Sequence, residues 1–336
     1  MARLVTIDFD PGRIALSPCY ANEELLGKIA RETPDKGSLP KVDEVMGALV
    51  FSPAPARRPY VFSSIVLSAD GKMAYADNRS GPVIARNNFF DTDGALADFW
   101  VLNALRACSD GVVIGARTLS AEPDATSHVY DPVLASQRAE ILGKSSHPVS
   151  VIVSFDGTDI PLDHLFFQVE AGEGLPLAIA TSPVGARFLS GKLGLPVDEY
   201  ANCASGEDVD RLLATRPLSF APGRVVLIST GSGSKPDSAV LLYLLRRAGM
   251  ERLLVESPTY TSHLMLSQSL DEYFVNYSMV YAGGTLTPGY GAPLPSVGHP
   301  HALLLRVAMH KASFLYTRQK LYYGVASVPD LAGLKY

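Results

Sequence analysis

Apolar and β-branched residues fall along this chain in short blocks that end on polar, glycine-bearing turns. Val61–Leu67 runs apolar and stops at Ser68-Ala-Asp-Gly, and Val112-Val-Ile stops at Gly115-Ala-Arg-Thr. Such blocks read as buried strands rather than surface helices. Further strands are predicted at Val149–Val153, Leu177–Ala180, Arg224–Ile228, Arg252–Val255, Asp271–Val280, Ala302–His310 and Phe314–Tyr323. Helical spacing predicts helices at Glu23–Arg31, Val42–Val50, Thr92–Ala107, Gly185–Leu189 and Ala239–Ala248. Asp91, Thr92 and Asp93 are the candidate caps of the third. The alternation predicts a mostly parallel, helix-flanked sheet with antiparallel strands at its end.

In such sheets ligands bind outside the carboxyl ends of the strands. Two glycine-bearing turns in that position, at Asp70-Gly71 and at Gly115, make a nucleotide site the leading expectation. Glycine lets the backbone approach a ligand, and the Thr118 hydroxyl and free N–H groups suit a phosphate.

At 336 residues, 47% hydrophobic and 19% charged, the chain can bury a large core and is not a disordered protein. Its net charge of −5 and scattered Lys and Arg residues argue against nucleic acid. No apolar run approaches the roughly 18 residues that span a bilayer. The start has no signal-peptide pattern, and three separated cysteines, Cys19, Cys108 and Cys203, suit reduced thiols. The expectation is a cytoplasmic protein without a membrane partner. The seven His show no metal spacing, so no metal is expected.

The order SADGKMA, LRACSDGVVIGARTL, RLLVESPTY and SLDEYFVNYSMVYAGG resembles the reductase domain of bifunctional riboflavin-biosynthesis proteins, across roughly Arg58 to Gly324. The resemblance implies a dihydrofolate-reductase-like fold over 58–336, with an insertion expected at about 192–223. Residues 1–57 lie outside it and are expected to form an N-terminal arm or small subdomain. It implies NADPH as cofactor, a ribosylamino-pyrimidine or another small heterocycle as substrate, and a homodimer. The activity it suggests resembles that of 5-amino-6-(5-phosphoribosylamino)uracil reductase. No H-x-E or P-C-x-x-C zinc signature of the accompanying deaminase is present.

Carried over residue by residue, the resemblance places Asp70 and Glu256 in the catalytic set, with Arg106 and Glu256 at the substrate. Gly71, Gly115, Ala116, Thr118 and Glu122 are expected at the cofactor, Thr118 matching the family's V-G-x-x-T. Ser154 is a candidate for the cofactor's 2′-phosphate. Where the family reads E-G-G-P-T, this chain reads Glu256-Ser-Pro-Thr-Tyr. Both glycines are gone and Pro258 brings no N–H, so Ser257 and Thr259 are the candidates to replace the phosphate cradle, with Thr261 beyond them. The Thr230-Gly-Ser-Gly-Ser-Lys-Pro segment follows a strand but fails the P-loop pattern. Two alternatives stay open: a same-fold reductase with another substrate, and a non-catalytic dimeric scaffold with a degraded cofactor site.

Overall fold

The computed structural model describes residues 4–33, 38–168, 174–289, 293–296 and 298–324; the last stretch of the domain expected over 58–336 lies outside them. The chain opens with α1 (Pro11–Ile14), β1 (Ser17–Ala21), α2 (Glu23–Glu32) and α3 (Pro40–Met46). The central part runs β2 (Tyr60–Ser68), α4 (Pro82–Arg86), α5 (Gly94–Cys108), β3 (Gly111–Gly115), α6 (Ala116–Ala121), α7 (Pro132–Leu142) and β4 (Val149–Val153). Then come β5 (Leu177–Thr181), α8 (Pro183–Leu189), β6 (Val197–Cys203), α9 (Gly206–Thr215), β7 (Val225–Thr230), α10 (Ser238–Arg247) and β8 (Arg252–Val255). The chain continues through α11 (Pro258–Leu266), β9 (Glu272–Ser278), β10 (His301–His310) and β11 (Phe314–Tyr322).

All the strands join one 11-stranded sheet in the order β1-β10-β11-β9-β2-β8-β3-β4-β5-β7-β6. The eight strands from β9 to β6 in that order pair parallel, while β11, β10 and β1 add on antiparallel. Two apolar layers cover it. One gathers Trp100, Leu134 and Ala186 from α5, α7 and α8 together with Phe9, Ile14, Val42 and Phe51. The other gathers Val209, Leu241 and Leu264 from α9, α10 and α11. Residues before Arg58 thus share the main core, and β1 becomes the outer strand beside β10.

The interior of these elements was legible because buried parallel strands read as unbroken apolar runs. The differences lie at their ends. The helix expected over Val42–Val50 stops at Met46, where Gly47 adopts φ 77° and Arg306 donates to the Met46 carbonyl. The helix expected from Thr92 starts at Gly94. Its cap Asp93 makes no capping bond, because its carboxylate binds Arg13 and Lys311 instead. The segment after Gly115, expected as a turn, is the helix α6, and the looser stretch expected at 192–223 contains β6 and α9.

Asp98 on α5 packs towards β9, where Asn276 Nδ2 donates to it at 2.7 Å. Desolvation of its carboxyl pushes the pKa up to about 6, against the opposing hydrogen bond, although the residue keeps some exposed surface. The unfolded chain releases this proton near pH ~4. The folded state therefore binds more protons between the two values, and stability falls as pH rises through that window. Asp98→Asn should gain on the wild type over the same window, reaching about 1–2 kcal/mol at neutral pH in urea unfolding.

Candidate functional site at the end of a short strand

Strand β8 is only four residues long, and its last residue Val255 is level with Ser63 of β2 and Val113 of β3. β2 runs on to Ser68, paired there with β9 alone, and β3 runs on to Gly115. A notch therefore opens above β8, walled by the upper part of β2 and the end of β3. The chain leaves β3 towards the layer containing Ala116 and Leu119, and leaves β8 towards the layer containing Leu264. Adjacent strands whose connections part to opposite faces form the crevice where ligands bind in open α/β sheets.

Glu256 sits at the floor of this notch. Arg106 reaches it from α5 with two parallel bonds, Nε to Oε1 at 2.7 Å and Nη2 to Oε2 at 2.6 Å. The third arm, Nη1, donates to the His128 carbonyl at 3.1 Å. Arg106 is 5% exposed. Burial works against its charge, yet the neighbouring Glu256 carboxylate leaves its pKa raised. Each of the three guanidinium nitrogens makes a bond within the fold, and two of these bonds hold the Glu256 carboxylate. Glu122, at the end of α6, faces the same pair; burial first and then the Glu256 charge push its pKa up.

Gly115 and Ser257 bring the two strand ends together. A Cβ on Gly115 would lie 2.7 Å from Ser257 Oγ, so any larger residue there would have to turn that hydroxyl aside. Ser257 caps α11, accepting from the Tyr260 N–H at 3.5 Å, and Pro258 occupies the first helical position. The first turn of α6 follows Gly115 and has no side-chain cap. The Thr118 hydroxyl lies there, 3.9 Å from where that Cβ would stand. Thr259 is exposed in the first turn of α11, whereas Thr261 is buried and bonded to Ser63 Oγ at 2.8 Å. Thr261 therefore faces β2 and not a ligand.

Asp70 joins two loops at the rim. Its carboxylate accepts from Ser68 Oγ at 2.6 Å, Ala282 N at 3.1 Å and Gly283 N at 2.8 Å. The serine bond, followed by the Ala282 amide, lowers its pKa to about 2. Gly71 beside it needs φ 76°. Asp70 thus ties the β2 turn to the Gly283-Gly284 turn. Ser154 lies two strands away at the end of β4. Its hydroxyl donates to Asp159 at 2.5 Å and accepts from Gly157 N at 2.9 Å. A carboxylate at that hydroxyl opposes the 2′-phosphate expected there.

The glycine-serine segment after β7 closes on itself through a Ser232–Lys235 bridge, with Thr230 Oγ1 bonded to the Asp237 carbonyl. It forms a tight turn, not a phosphate cradle. Sequence reasoning missed His128, because it acts through its backbone carbonyl, which no side-chain pattern announces. Among the described residues no group of three or more His, Cys, Asp or Glu is placed to hold a metal, and no helix is long and apolar enough to cross a membrane. A groove of about 510 Å³ lined by Asp8, Lys41, Glu44 and Gln137 shares no residue with the notch.

These features define a dihydrofolate-reductase-like fold with its crevice at the β8 notch. In structure the chain is similar to a pyrimidine reductase-like protein from Corynebacterium diphtheriae, with a TM-score of 0.56 and 16% identity over 83% of this chain and 98% of that one. It is also similar to Acinetobacter baumannii RibD, with a TM-score of 0.50 and 15% identity over 89% of this chain but 64% of that longer one. In sequence it is 23% identical over 238 residues to a 2,5-diamino-6-ribosylamino-4(3H)-pyrimidinone 5′-phosphate reductase from Archaeoglobus fulgidus, across 69% of this chain and 85% of that protein. No family profile matches the sequence.

The buried pair carries a stability expectation. Arg106→Leu leaves the Glu256 carboxylate, 12% exposed, without its partner. It should cost about 3–5 kcal/mol in urea unfolding. Adding Glu256→Gln removes the stranded charge and should restore at least ~2 kcal/mol of that loss.

Proposed function

We propose that this chain is a reductase that uses a nicotinamide cofactor, NADPH, to reduce a small heterocyclic substrate of the ribosylamino-pyrimidine type. The observation that carries the reading is the notch above β8. It brings a paired carboxylate, the uncapped first turn of α6 and two hydroxyls to the switch point of a fold shared with a pyrimidine reductase-like protein. The likeness in sequence to a named pyrimidinone reductase supports the same class.

The fit of the cofactor rests on donors. The first turn of α6, with the hydroxyls of Thr118 and Ser257, would supply N–H and O–H groups beside the close approach of Gly115 to Ser257. They would hold the cofactor's phosphates in place of the two glycines absent after Glu256. Bound there, the cofactor supplies a hydride for an electrophilic carbon of the substrate. The protein's own work is positional. Arg106 holds the Glu256 carboxylate fixed, so it can accept hydrogen bonds from the amino groups of a pyrimidine. Glu122, whose proton is held more tightly than usual, stands next to that carboxylate as a source of a proton. Asp70 fixes the two rim loops relative to one another.

The resemblance also favours a homodimer. Light scattering at twice the chain mass would support it.

Purified protein should bind NADPH with a Kd of about micromolar order, corresponding to roughly −8 kcal/mol. Thr118→Val should weaken that binding about tenfold by removing one hydroxyl bond to a charged group. NADPH oxidation should then depend on added ribosylaminopyrimidine phosphate. Calorimetry that detects neither NADPH nor NADH would overturn the reductase reading in favour of a scaffold role.

A further inference from the structure

The N-terminal segment lies outside the stretch that resembles the reductases, yet it reaches the candidate site. The Val5 carbonyl accepts from His128 Nε2 at 2.8 Å, and the Ile7 amide donates to the Tyr130 carbonyl at 2.9 Å. These two bonds clip residues 5–7 onto residues 128–130. The Val5 carbonyl can only accept, so Nε2 carries the proton and Nδ1 is left to accept from the Thr126 hydroxyl. The imidazole also stacks on Tyr130, with ring centroids 3.7 Å apart. Burial pushes the His128 pKa down to about 3, which keeps this arrangement neutral at ordinary pH.

The clipped segment in turn holds Arg106. The His128 carbonyl accepts from Nη1 at 3.1 Å, and the guanidinium lies 5.8 Å from the Tyr130 ring centroid. The opposite edge of the same guanidinium carries Glu256. A continuous path of contacts therefore runs from Val5 through His128 and Arg106 to the carboxylate at the floor of the notch. Val5 itself is 61% exposed and contributes its backbone, while Leu4 and Ile7 on either side pack partly buried against the main core.

We infer that residues 4–8 are a positioning strap for the site: through His128 they fix the plane of Arg106, and through Arg106 the orientation of Glu256. What Glu256 does once oriented rests on the reductase reading; the strap itself does not.

The test compares the full chain with a chain that starts at Phe9, and with His128→Phe, which keeps the stack on Tyr130 but loses both ring hydrogen bonds. Nitrogen-15-labelled arginine side chains report the solvent exchange of each Nε–H by NMR, with the Arg106 signal assigned through Arg106→Lys. Arg318 is the internal control, since it is equally buried and its Nε donates to Glu272 at 2.7 Å elsewhere in the fold. Both variants should speed exchange at Arg106 by about tenfold or more while Arg318 keeps its rate. With the pyrimidine substrate, kcat should fall about tenfold with little change in KM, because orientation and not binding is lost. Unchanged exchange at Arg106 would overturn the inference. So would equal acceleration at Arg318, since the strap would then be supporting the fold at large. If the full chain binds no nicotinamide nucleotide, the reductase reading fails, and the exchange rates still decide the strap.

Discussion

A guanidinium and a carboxylate buried together cannot be half-made. Arg106 and Glu256 have each lost most of their water, and the loss is tolerable only because two parallel bonds and a backbone carbonyl replace it. That demand organises their surroundings. α5 must present position 106 to the end of β8, and residues 126–130 must pass close enough to offer a carbonyl. The pair also determines the electrical character of the notch. The positive charge is enclosed, while Glu256 keeps more exposure than its partner and Glu122 lies beside it. A ligand entering here meets acceptors first. Amino groups on a heterocycle suit that floor better than a phosphate does.

The notch exists because neighbouring strands differ in length. β8 stops at Val255, level with Ser63, while β2 continues five residues to Ser68 with only β9 beside it. Had β8 continued, its backbone would have filled the space and paired with β2. Glu256, Ser257 and Pro258 enforce its early end. Ser257 turns the chain into α11, and Pro258 cannot donate to a further ladder but fits the first turn of a helix. The end of the strand, the start of the helix and the opening of the crevice are thus consequences of the same three residues.

The sheet was legible in the sequence, and the reason is physical. Strands such as Val112–Ile114 and Leu253–Val255 are buried on both faces, so their apolar runs are unbroken. The outermost strand was not legible: β1 is Ser-Pro-Cys-Tyr-Ala, largely exposed at the sheet's edge, and carries no apolar pattern at all. α6 was hidden because its first turn contains Gly115-Ala-Arg-Thr, which local chemistry reads as a turn. Of the candidate site, the positions of Glu256, Gly115 and Thr118 at strand ends came from the blocks they terminate. The partners did not. That Arg106 turns inward to Glu256, that Ser154 is taken by Asp159 and that Thr261 bonds Ser63 are facts of three-dimensional proximity between residues up to 198 positions apart.

Read as a string, Glu256-Ser-Pro-Thr-Tyr looks like a phosphate cradle that has lost its glycines. The geometry gives the substitution another meaning. Glycine after a strand end keeps space clear for a ligand's oxygens; here the Ser257 hydroxyl stands in that space, against Gly115 and at the head of α11. Across the crevice lie the uncapped first turn of α6 and its Thr118 hydroxyl, after the neighbouring strand β3. Gly115 keeps the two strand ends close, because a side chain there would meet the Ser257 hydroxyl and force it to turn away.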